Sequence, residues 1–544
     1  MSREIFIFFY LFLNLYFGIC KSGNFWLIFY GNTNVFIRLK YFYYVLLIEF
    51  STDLWYSKEK LIRSNKMNCE NALKPERVFH YFKEMSNIPR GSGDMVKIAD
   101  FCVDFAKKIG LSYVRDNANN VVIYKSASVG YENAETVILQ GHLDMVCQKT
   151  EESKKDFLKD GIDLIIDGDF LKADGTTLGG DNGIAVAMVM AILEDSSLSH
   201  PPIEAVFTTD EEIGMVGALQ LDMSLLKGKK MINLDSEEDD TATVSCAGGS
   251  DFQVTIPVKK VKMTGTKIPV IFKGLLGGHS GVEIHKGRAN ADILAGRFLN
   301  KIKTLGYGII SINGGDKSNA IPNFCRIELC VQDVNEFEKT AIPVIEEIKK
   351  EISDRETLIY EITTGSEGEY QVFNGETAKN LIFSLVCIPD GVMSMSADIE
   401  GLVETSLNLG ILKTEEDKII VHSALRSNKM TALGNLEDKL RVLFESFDCE
   451  IKTYGHYPAW EYNSNSRLQD LYTEAYKEMF KKEPNVAAIH AGLECGVFAG
   501  AIKDFDCIAI GPNLFDVHTV KEKLDIKSTE NVYNLLIKML EKML

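Results

Sequence analysis

The chain has 544 residues, of which 46% are hydrophobic and 25% charged, a composition typical of globular proteins. This length exceeds what one hydrophobic core usually supports, so roughly two to four folding units are expected, and the net charge of −18 argues against a nucleic-acid-binding protein. The eleven cysteines contain no Cys-x-x-Cys pair and are odd in number, which favours the reduced thiols of a cytoplasmic protein over a disulfide framework.

The first 66 residues differ from the rest, because they hold 19 of the 53 aromatic residues and carry a net positive charge. Residues 5–17 could form the apolar part of a signal peptide, but no small-x-small cleavage site follows. The apolar runs at 5–19 and 41–50 are shorter than the ~20 residues that a membrane span needs. We favour a third interpretation, in which this segment is not native and the protein begins at Met67. No membrane partner is then expected.

From Met67 onwards, strand patterns alternate with helix patterns. Short apolar runs rich in β-branched residues predict four buried strands, at residues 119–125, 136–141, 203–209 and 229–235. Residues 183–195 follow a glycine-rich turn and predict a helix. This alternation predicts an α/β fold with a mixed, mostly parallel sheet covered by helices.

The texture of the sequence changes between about residues 250 and 450. Alternating stretches such as "SDFQVTIPV" and "FCRIELCVQDV" indicate an antiparallel sheet with helices packed on it. Buried-strand patterns return at "NVAAIHAG" and "FDCIAIGP". We therefore expect an α+β domain inserted into the first domain. The predicted boundaries are 67–249 and 453–544 for the two parts of a catalytic domain, and 250–452 for the insertion.

Polar and acidic residues follow four of the predicted strands, namely those at 136–141, 203–209 and 229–235 and the one in "FDCIAIGP". These residues are His142 and Asp144, then Asp210, Glu211 and Glu212, then Asp235, and finally His518, while Asp181 begins the predicted helix. In open α/β sheets, ligands bind at the carboxyl ends of the strands. The pattern therefore places all these side chains at one edge of one sheet.

This set of residue types predicts a metal site. His142 and Asp144 share one face of their strand, and a metal-bound imidazole usually donates its other N–H to a carboxylate. A single His-x-Asp pair is common, and a single Asp-Glu-Glu run is more often a solvated helix start. Their coincidence at one sheet edge is more specific. Imidazole and carboxylate ligands suit zinc, with manganese or cobalt as alternatives.

Ten stretches of the sequence match one known family. They are "IPRGSG", "GHLDMV", "DGTTLGGDNGIA", "TTDEEIGMVGA", "NLDSEE", "CAGG", "GGHSGVEIHKGRANA", "SNAIPN", "HAGLECG" and "GPNLFDVHTVKEKLDI". The chain resembles the aminoacyl-histidine dipeptidases (Xaa-His dipeptidase, peptidase D), a branch of the two-zinc exopeptidases. The resemblance covers roughly residues 75–544 and leaves the first 66 residues without a counterpart. It implies a zinc-exopeptidase-like catalytic domain with an inserted lid.

The resemblance implies two divalent metal ions, expected to be Zn2+, and five residues that hold them. The implied ligands are His142, Asp181, Glu212, Asp235 and His518. Asp181 would bridge both ions, with His142 and Asp235 on one ion and the remaining two ligands on the other. One departure affects His518, because the family usually continues with Ser-Pro-Asp-Glu at the position of residues 519–522, which here read Thr-Val-Lys-Glu.

The same resemblance implies roles for residues that are not ligands. Glu211 would be the general base, and Asp144 would support His142. In the insertion, His279 would polarise the scissile carbonyl, although a histidine between glycines is also typical of a simple turn. The residues expected to contact the substrate are Asn319, Arg426, His490 and Glu494, the first two at its C-terminal carboxylate.

The expected function is a metal-dependent dipeptidase that hydrolyses unblocked dipeptides, of the Xaa-His type and including carnosine-like substrates. One alternative is a related amidohydrolase or tripeptidase that acts on N-acyl amino acids or longer peptides. Another is a metal-binding or interaction protein without catalysis. The family further implies a homodimer formed through the lid, and the reduced thiols predict a cytoplasmic location.

Overall fold

The structure is a computed structural model that describes residues 73–352 and 354–544. The predictions for residues 1–66 therefore lie outside the described residues. Within the described ranges, no helix is both long and apolar enough to cross a membrane. The nine cysteines in these ranges are all free thiols.

The first part of the described chain alternates helices and strands, as the sequence predicts. Its elements are helices α1 (Glu76–Ser86) and α2 (Val96–Lys108), strands β1 (Ser112–Arg115), β2 (Val121–Lys125), β3 (Val137–His142), β4 (Leu164–Asp167) and β5 (Phe170–Ala173), helix α3 (Gly180–Glu194), strand β6 (Ile203–Thr208), helix α4 (Val216–Gln220), and strands β7 (Lys230–Asn233) and β8 (Thr241–Cys246). The four predicted buried strands correspond to β2, β3, β6 and β7.

The next part is richer in long antiparallel strands. Its elements are β9 (Gly248–Pro257), β10 (Lys260–Lys273), β11 (Gly278–His279), α5 (Ala291–Lys301), β12 (Tyr307–Gly314), β13 (Ala320–Ile321), β14 (Cys325–Val331), α6 (Val334–Ile352), β15 (Ile359–Ile362), β16 (Glu367–Phe373), α7 (Gly375–Cys387), β17 (Gly391–Met395), β18 (Val403–Thr414), β19 (Lys418–Ser427), α8 (Met430–Phe444) and β20 (Glu450–Tyr457).

The last part returns to short buried strands and amphipathic helices. Its elements are α9 (Arg467–Phe480), β21 (Asn485–Ile489), α10 (Glu494–Ala501), β22 (Asp506–Ala509), β23 (Leu514–Phe515), β24 (Lys523–Asp525) and α11 (Ile526–Glu541). Helix α11 begins at a capping side chain, since the carboxylate of Asp525 accepts the N–H of Ser528.

An eight-stranded sheet joins the first and last parts, in the order β1-β2-β6-β3-β7-β22-β8-β21. The central strands β6, β3, β7 and β22 run parallel to one another. The outer pairs β1–β2 and β2–β6 are antiparallel. The four central strands therefore end at the same edge of the sheet, and their carboxyl ends lie side by side.

Helix α3 packs against this sheet and is enclosed on all sides. Every residue from Gly183 to Leu193 is buried, which explains why this helix has a continuous apolar sequence instead of an amphipathic one. Asp181 and Asn182 precede the regular helix and have non-helical backbone angles. The helix thus begins with a short irregular loop, which carries Asp181 and lies at the same edge of the sheet.

A second sheet has ten antiparallel strands, which lie between Gly248 and Tyr457 in the sequence. Its main path is β15-β10-β14-β12-β18-β19-β9-β20, with β16 paired to β10 and β17 to β18. Helices α5, α6, α7 and α8 cover one core on this sheet. The predicted α/β class with an α+β insertion is confirmed. The exact domain boundaries at residues 249/250 and 452/453 stay predictions.

Candidate metal centre and active site

The carboxyl ends of the parallel strands bring the five predicted ligands together. His142 is the last residue of β3, Asp235 lies two residues after β7, and Glu212 lies in the loop after β6. His518 follows β23, and Asp181 lies in the loop at the start of α3. Elements separated by hundreds of residues in the sequence thus supply one cluster of side chains.

Asp181 lies at the centre of this cluster and contacts both of its halves. The Oδ1 of Asp181 is 3.1 Å from Nε2 of His142, which is itself 3.6 Å from Oδ1 of Asp235. The Oδ2 of Asp181 is 3.0 Å from Nε2 of His518, which lies 3.0 Å from Oε2 of Glu212. Two groups of donor atoms therefore share one carboxylate, in the arrangement that a bridging ligand requires.

The donor atoms of each group are close enough to hold one ion. In the group of His142, Asp181 and Asp235, and in the group of Asp181, Glu212 and His518, ligand atoms lie within 4.8 Å of one another. A third group of the same kind contains His142, Glu212 and Glu211. Glu211 therefore lies beside the first two groups but belongs to neither of them.

Burial of the carboxylates dominates the electrostatics of the cluster. Burial raises the pKa of Glu211 well above its usual value, and the neighbouring charges of Asp235, Glu494 and Glu212 raise it further. Burial likewise raises the pKa of Asp235 and of Glu212. These shifts show that the site favours added positive charge.

The pKa values of the two imidazoles are raised as well, but by nearby carboxylates and not by burial. Burial by itself would lower the pKa of His142, but the carboxylates of Asp235, Asp144 and Asp181 raise it well above its usual value. Hydrogen bonds with Asp181 and Glu212 raise the pKa of His518 to about 11. Each imidazole thus lies next to carboxylate oxygens. A cation bound between the imidazole and these oxygens would have both nitrogen and oxygen donors.

The donor set fits a pair of divalent cations. Among the described residues, all ion pairs of Asp181, Glu212 and Asp235 are with histidine, so no lysine or arginine forms an ion pair with these three carboxylates. The Oε1 atom of Glu212 is buried and has no hydrogen-bond partner in the described chain. Burying several carboxylates is costly without a counter-charge, and imidazole with carboxylate is a donor set that zinc accepts.

Asp144 supports the site through more contacts than the sequence predicts. The Nδ1 of His142 lies 3.1 Å from the backbone oxygen of Asp144 and 3.4 Å from its Oδ1. The same carboxylate accepts the N–H groups of Glu211, at 3.0 Å, and of Glu212, at 3.2 Å, and the hydroxyl of Ser92 at 2.8 Å. Asp144 therefore orients the ligand histidine and also fixes the backbone that carries the proposed base.

A buried polar network lies beneath the cluster and was not predicted. The carboxylate of Glu494 accepts hydrogen bonds from Gln140 and Thr208, at 2.5 and 2.7 Å. Gln140 in turn accepts from Asn233, whose Oδ1 accepts the N–H of Asp235 at 3.2 Å. Glutamine inside an otherwise apolar strand was the one sequence signal of this network. Glu494 is fully buried, and its contact with substrate stays a prediction.

The structure brings His279, Arg426 and His490 near one another. The positive charge of Arg426 adds to burial in lowering the pKa of both histidines, to about 3 for His490. A Cβ atom on Gly281 would lie 2.8 Å from the backbone oxygen of His490 and 2.9 Å from Cε1 of His279. His490 also accepts or donates a 2.7 Å hydrogen bond with the Ser406 hydroxyl.

Asn319 lines a groove with His279. The groove has a volume of about 1010 Å³ and lies between the "GGHSG" and "SNAIPN" segments. The backbone oxygen of Asn319 accepts the N–H of Ser280 at 2.9 Å. Within the described chain, neither Asn319 nor His279 forms a hydrogen bond with any of the five candidate ligands, so their contact with bound substrate stays a prediction.

Comparison with known proteins agrees with this geometry. Residues 138–542 match the family model described as Peptidase family M20/M25/M40. The chain belongs to this peptidase family. It is therefore an enzyme that hydrolyses peptide bonds, and the predicted resemblance to the two-metal exopeptidases is confirmed at the level of the family.

Two members of family M20 are similar over nearly their whole length. The cytosol non-specific dipeptidase of Escherichia coli (strain K12) is 34% identical over 474 residues, which is 86% of this chain and 98% of that protein. The crystal structure of an aminoacylhistidine dipeptidase from Vibrio alginolyticus is also 34% identical, with a TM-score of 0.80, and the match covers 87% of this chain and 97% of that one.

A more distant structure shares the fold alone. The aminopeptidase PepT of Bacillus cereus is 14% identical, with a TM-score of 0.50, over 87% of this chain and 99% of that chain. This similarity shows a common fold over most of both chains.

We predict that the metal-stripped chain binds two equivalents of Zn2+ or Co2+, and that His518→Ala binds one equivalent tightly and the second weakly. The variant keeps the group of His142, Asp181 and Asp235 but loses a donor from the other group. Calorimetric titration measures both stoichiometries. A free metal concentration of one hundred times the dissociation constant should stabilise the wild-type fold by about 2.7 kcal/mol for each site.

His456→Ala is the matched control, because this histidine is half exposed and pairs with Glu437 away from the cluster. It should bind two equivalents like the wild type. Two equally tight equivalents in His518→Ala would contradict the division of ligands into two groups.

Proposed function

We propose that this chain is a metal-dependent dipeptidase that cleaves unblocked dipeptides, including Xaa-His and carnosine-like substrates. The observation that carries the proposal is the pair of donor groups sharing Asp181, with the carboxylate of Glu211 beside them. Similarity to the non-specific dipeptidase and the aminoacylhistidine dipeptidase supports the substrate class.

In this proposal, His142, Asp181 and Asp235 hold one divalent cation, and Asp181, Glu212 and His518 hold the other. We expect zinc, with manganese or cobalt as alternatives. When bound, the cations would polarise the scissile carbonyl and lower the pKa of the attacking water towards about 7.

Glu211 is the proposed general base. Its backbone N–H is fixed by Asp144, and its carboxylate has no hydrogen-bond partner among the described residues. It would take a proton from the attacking water and pass the same proton to the departing amine. Its neighbour Glu212 differs because one of its oxygens is held by His518. Two adjacent glutamates would thus perform different tasks.

His279 is the proposed donor to the oxygen of the scissile carbonyl. Its Nδ1 accepts the N–H groups of Gly281 and Val282, at 3.1 and 3.3 Å, so the neutral ring carries its proton on Nε2. Burial and the charge of Arg426 lower its pKa, which keeps the ring neutral near pH 7. The Nε2–H group would donate to the negative charge that develops on the carbonyl oxygen.

Arg426 and Asn319 are the proposed anchors of the C-terminal carboxylate of the substrate. Arg426 donates one hydrogen bond to the Tyr457 hydroxyl at 2.7 Å, and its buried Nε has no partner in the described chain. A guanidinium group can bind both oxygens of a carboxylate. Such an anchor would favour substrates that have a free carboxylate one residue beyond the scissile bond. If the site also binds the free amine of the residue before that bond, the substrate is a dipeptide.

We further propose that residues 250–452 form a lid and dimerisation domain, that the enzyme is a cytoplasmic homodimer, and that lid closure excludes water from the site. The groove at His279 and Asn319, outside hydrogen-bonding range of the metal ligands, supports a movement of this kind.

The decisive experiment measures amino-acid release from carnosine, Ala-His, Gly-Gly and Leu-Gly, next to N-acetyl amino acids and tripeptides. We expect cleavage of the unblocked dipeptides only, lost on chelation and restored by metal. Cleavage of the acetylated set alone would show an amidohydrolase, and cleavage of tripeptides alone a tripeptidase. Silence on every substrate with metal bound would show a protein without catalysis.

We predict that Glu211→Gln abolishes dipeptide turnover, with at least a hundredfold loss of kcat, because removal of a general base typically costs about 10²–10⁴ in rate. Its metal content, measured by plasma emission spectrometry, should equal that of the wild type. Glu212→Gln is the matched comparison at the next position and should lose metal as well as activity. Loss of metal from Glu211→Gln would contradict the assigned roles.

We predict that His279→Ala lowers kcat by about 10²–10³ with little change in metal content, as expected for removal of one donor to a developing oxyanion. Steady-state kinetics on Ala-His measures this effect. His285→Ala, an exposed histidine in the same segment, should retain wild-type kinetics. An unchanged kcat in His279→Ala would remove this residue from the mechanism.

A further inference from the structure

A buried carboxylate beside the site lies four residues after His518. The side chain of Glu522 is 3% exposed, and it extends into the loop that carries Asp181. Its Oε2 accepts the N–H groups of Leu178 and Gly179, at 2.7 and 3.0 Å. Its Oε1 accepts those of Gly180 and Asp181, at 2.7 and 3.3 Å. Four successive backbone donors therefore converge on one carboxylate.

The opposite face of the same loop is held by a buried arginine. Arg90 is 2% exposed and donates through Nη2 to the backbone oxygen of Gly179. Its Nη1 donates to the backbone oxygens of Leu143 and Asp144, at 3.0 and 3.2 Å. Arg90 thus ties the loop to the segment that follows His142. This residue belongs to the "IPRGSG" stretch, for which the proposed mechanism has no other use.

The loop sequence is adapted to this close approach. Gly179 has a φ of +67°, in the left-handed region that glycine adopts without strain. A Cβ atom at this position would collide with Nη2 of Arg90 and would lie 2.6 Å from Sδ of Met145. Only a residue without a side chain leaves room for the guanidinium group on one side while its N–H reaches Glu522 on the other.

We propose that Glu522 and Arg90 are positioning residues that clamp the loop Leu178–Asp181 from both sides and thereby aim both oxygens of Asp181 at the two cations. The inference rests on the metal-dependent function proposed above. Asp181 is the one ligand common to both groups, so a small rotation of its backbone would displace a donor from each. The clamp acts through hydrogen bonds to the backbone and touches neither cation nor substrate.

The test compares cobalt binding by metal-stripped full-length wild type, Glu522→Gln and a matched control. In the glutamine variant, an amide NH2 group faces backbone N–H donors, so the loop loses part of its hold while the side chain keeps its size. Changes in residues behind metal ligands typically weaken metal binding about 10–100-fold. We expect this loss for both equivalents of Co2+, together with an altered visible absorption spectrum of the bound cobalt.

Glu204→Gln is the control, since Glu204 is also a buried glutamate that accepts backbone N–H groups next to a glycine. Its carboxylate accepts the backbone N–H groups of Lys227 and Gly228 at 3.0 Å, at the opposite edge of the same sheet. It should show a comparable change in melting temperature, with wild-type cobalt affinity and spectrum. Equal weakening in both variants would show a general loss of stability and overturn the proposal.

Glu522→Asp provides the second variant if the glutamine variant does not fold. It keeps the charge opposite Arg90 but withdraws the carboxylate by one methylene, and several-fold weaker cobalt binding is expected. Affinity within twofold of the wild type and an unchanged spectrum, in the variants that fold, would overturn the clamp. A wild-type chain that binds no cobalt would overturn the proposed function as well, whereas cobalt binding without dipeptide cleavage would overturn that function alone.

Discussion

Four carboxylates, of Asp181, Glu211, Glu212 and Asp235, lie together at the edge of the eight-stranded sheet, and their burial in one place is the constraint around which the site is organised. Burial raises the pKa of three of them, and neighbouring carboxylates add to this shift, so bound protons or bound cations stabilise the cluster. The described ion pairs of these groups are all with histidine. The parallel strands, the loop before α3 and the buried supports beneath them therefore hold a geometry that becomes favourable when positive charge is bound.

Much of this arrangement follows from sequence patterns that are local. A short apolar run followed by a histidine or an acidic residue defines a strand and its carboxyl end, and parallel strands bring such ends to one edge. The pattern thus predicts that His142, Glu212 and Asp235 lie close together. The division into two donor groups, and a role for His279, came from the family resemblance, because a histidine between glycines has no periodic signal of its own.

Other contacts could not be predicted, since they depend on backbone geometry and have no characteristic spacing. Asp144 was expected behind His142, but its hydrogen bonds to the N–H groups of Glu211 and Glu212 require the exact course of the loop after β6. Glu522 lies in the same family-matching stretch as His518. It supports the loop that carries Asp181, which is more than 340 residues away in the sequence. Gln140 was noticed only as part of an apolar strand.

The long separation between Glu522 and its loop has a consequence for biosynthesis. Leu178 and Glu522 are 344 residues apart, and at typical rates of translation roughly 20 to 70 s pass between their addition to the chain. During this interval the nascent chain contains the first sheet strands and most of the acidic residues, but neither His518 nor the glutamate that holds the loop. The peptidase centre is therefore completed only after Glu522 has been added, so a shorter nascent chain on the ribosome has no finished site with which to cleave peptides.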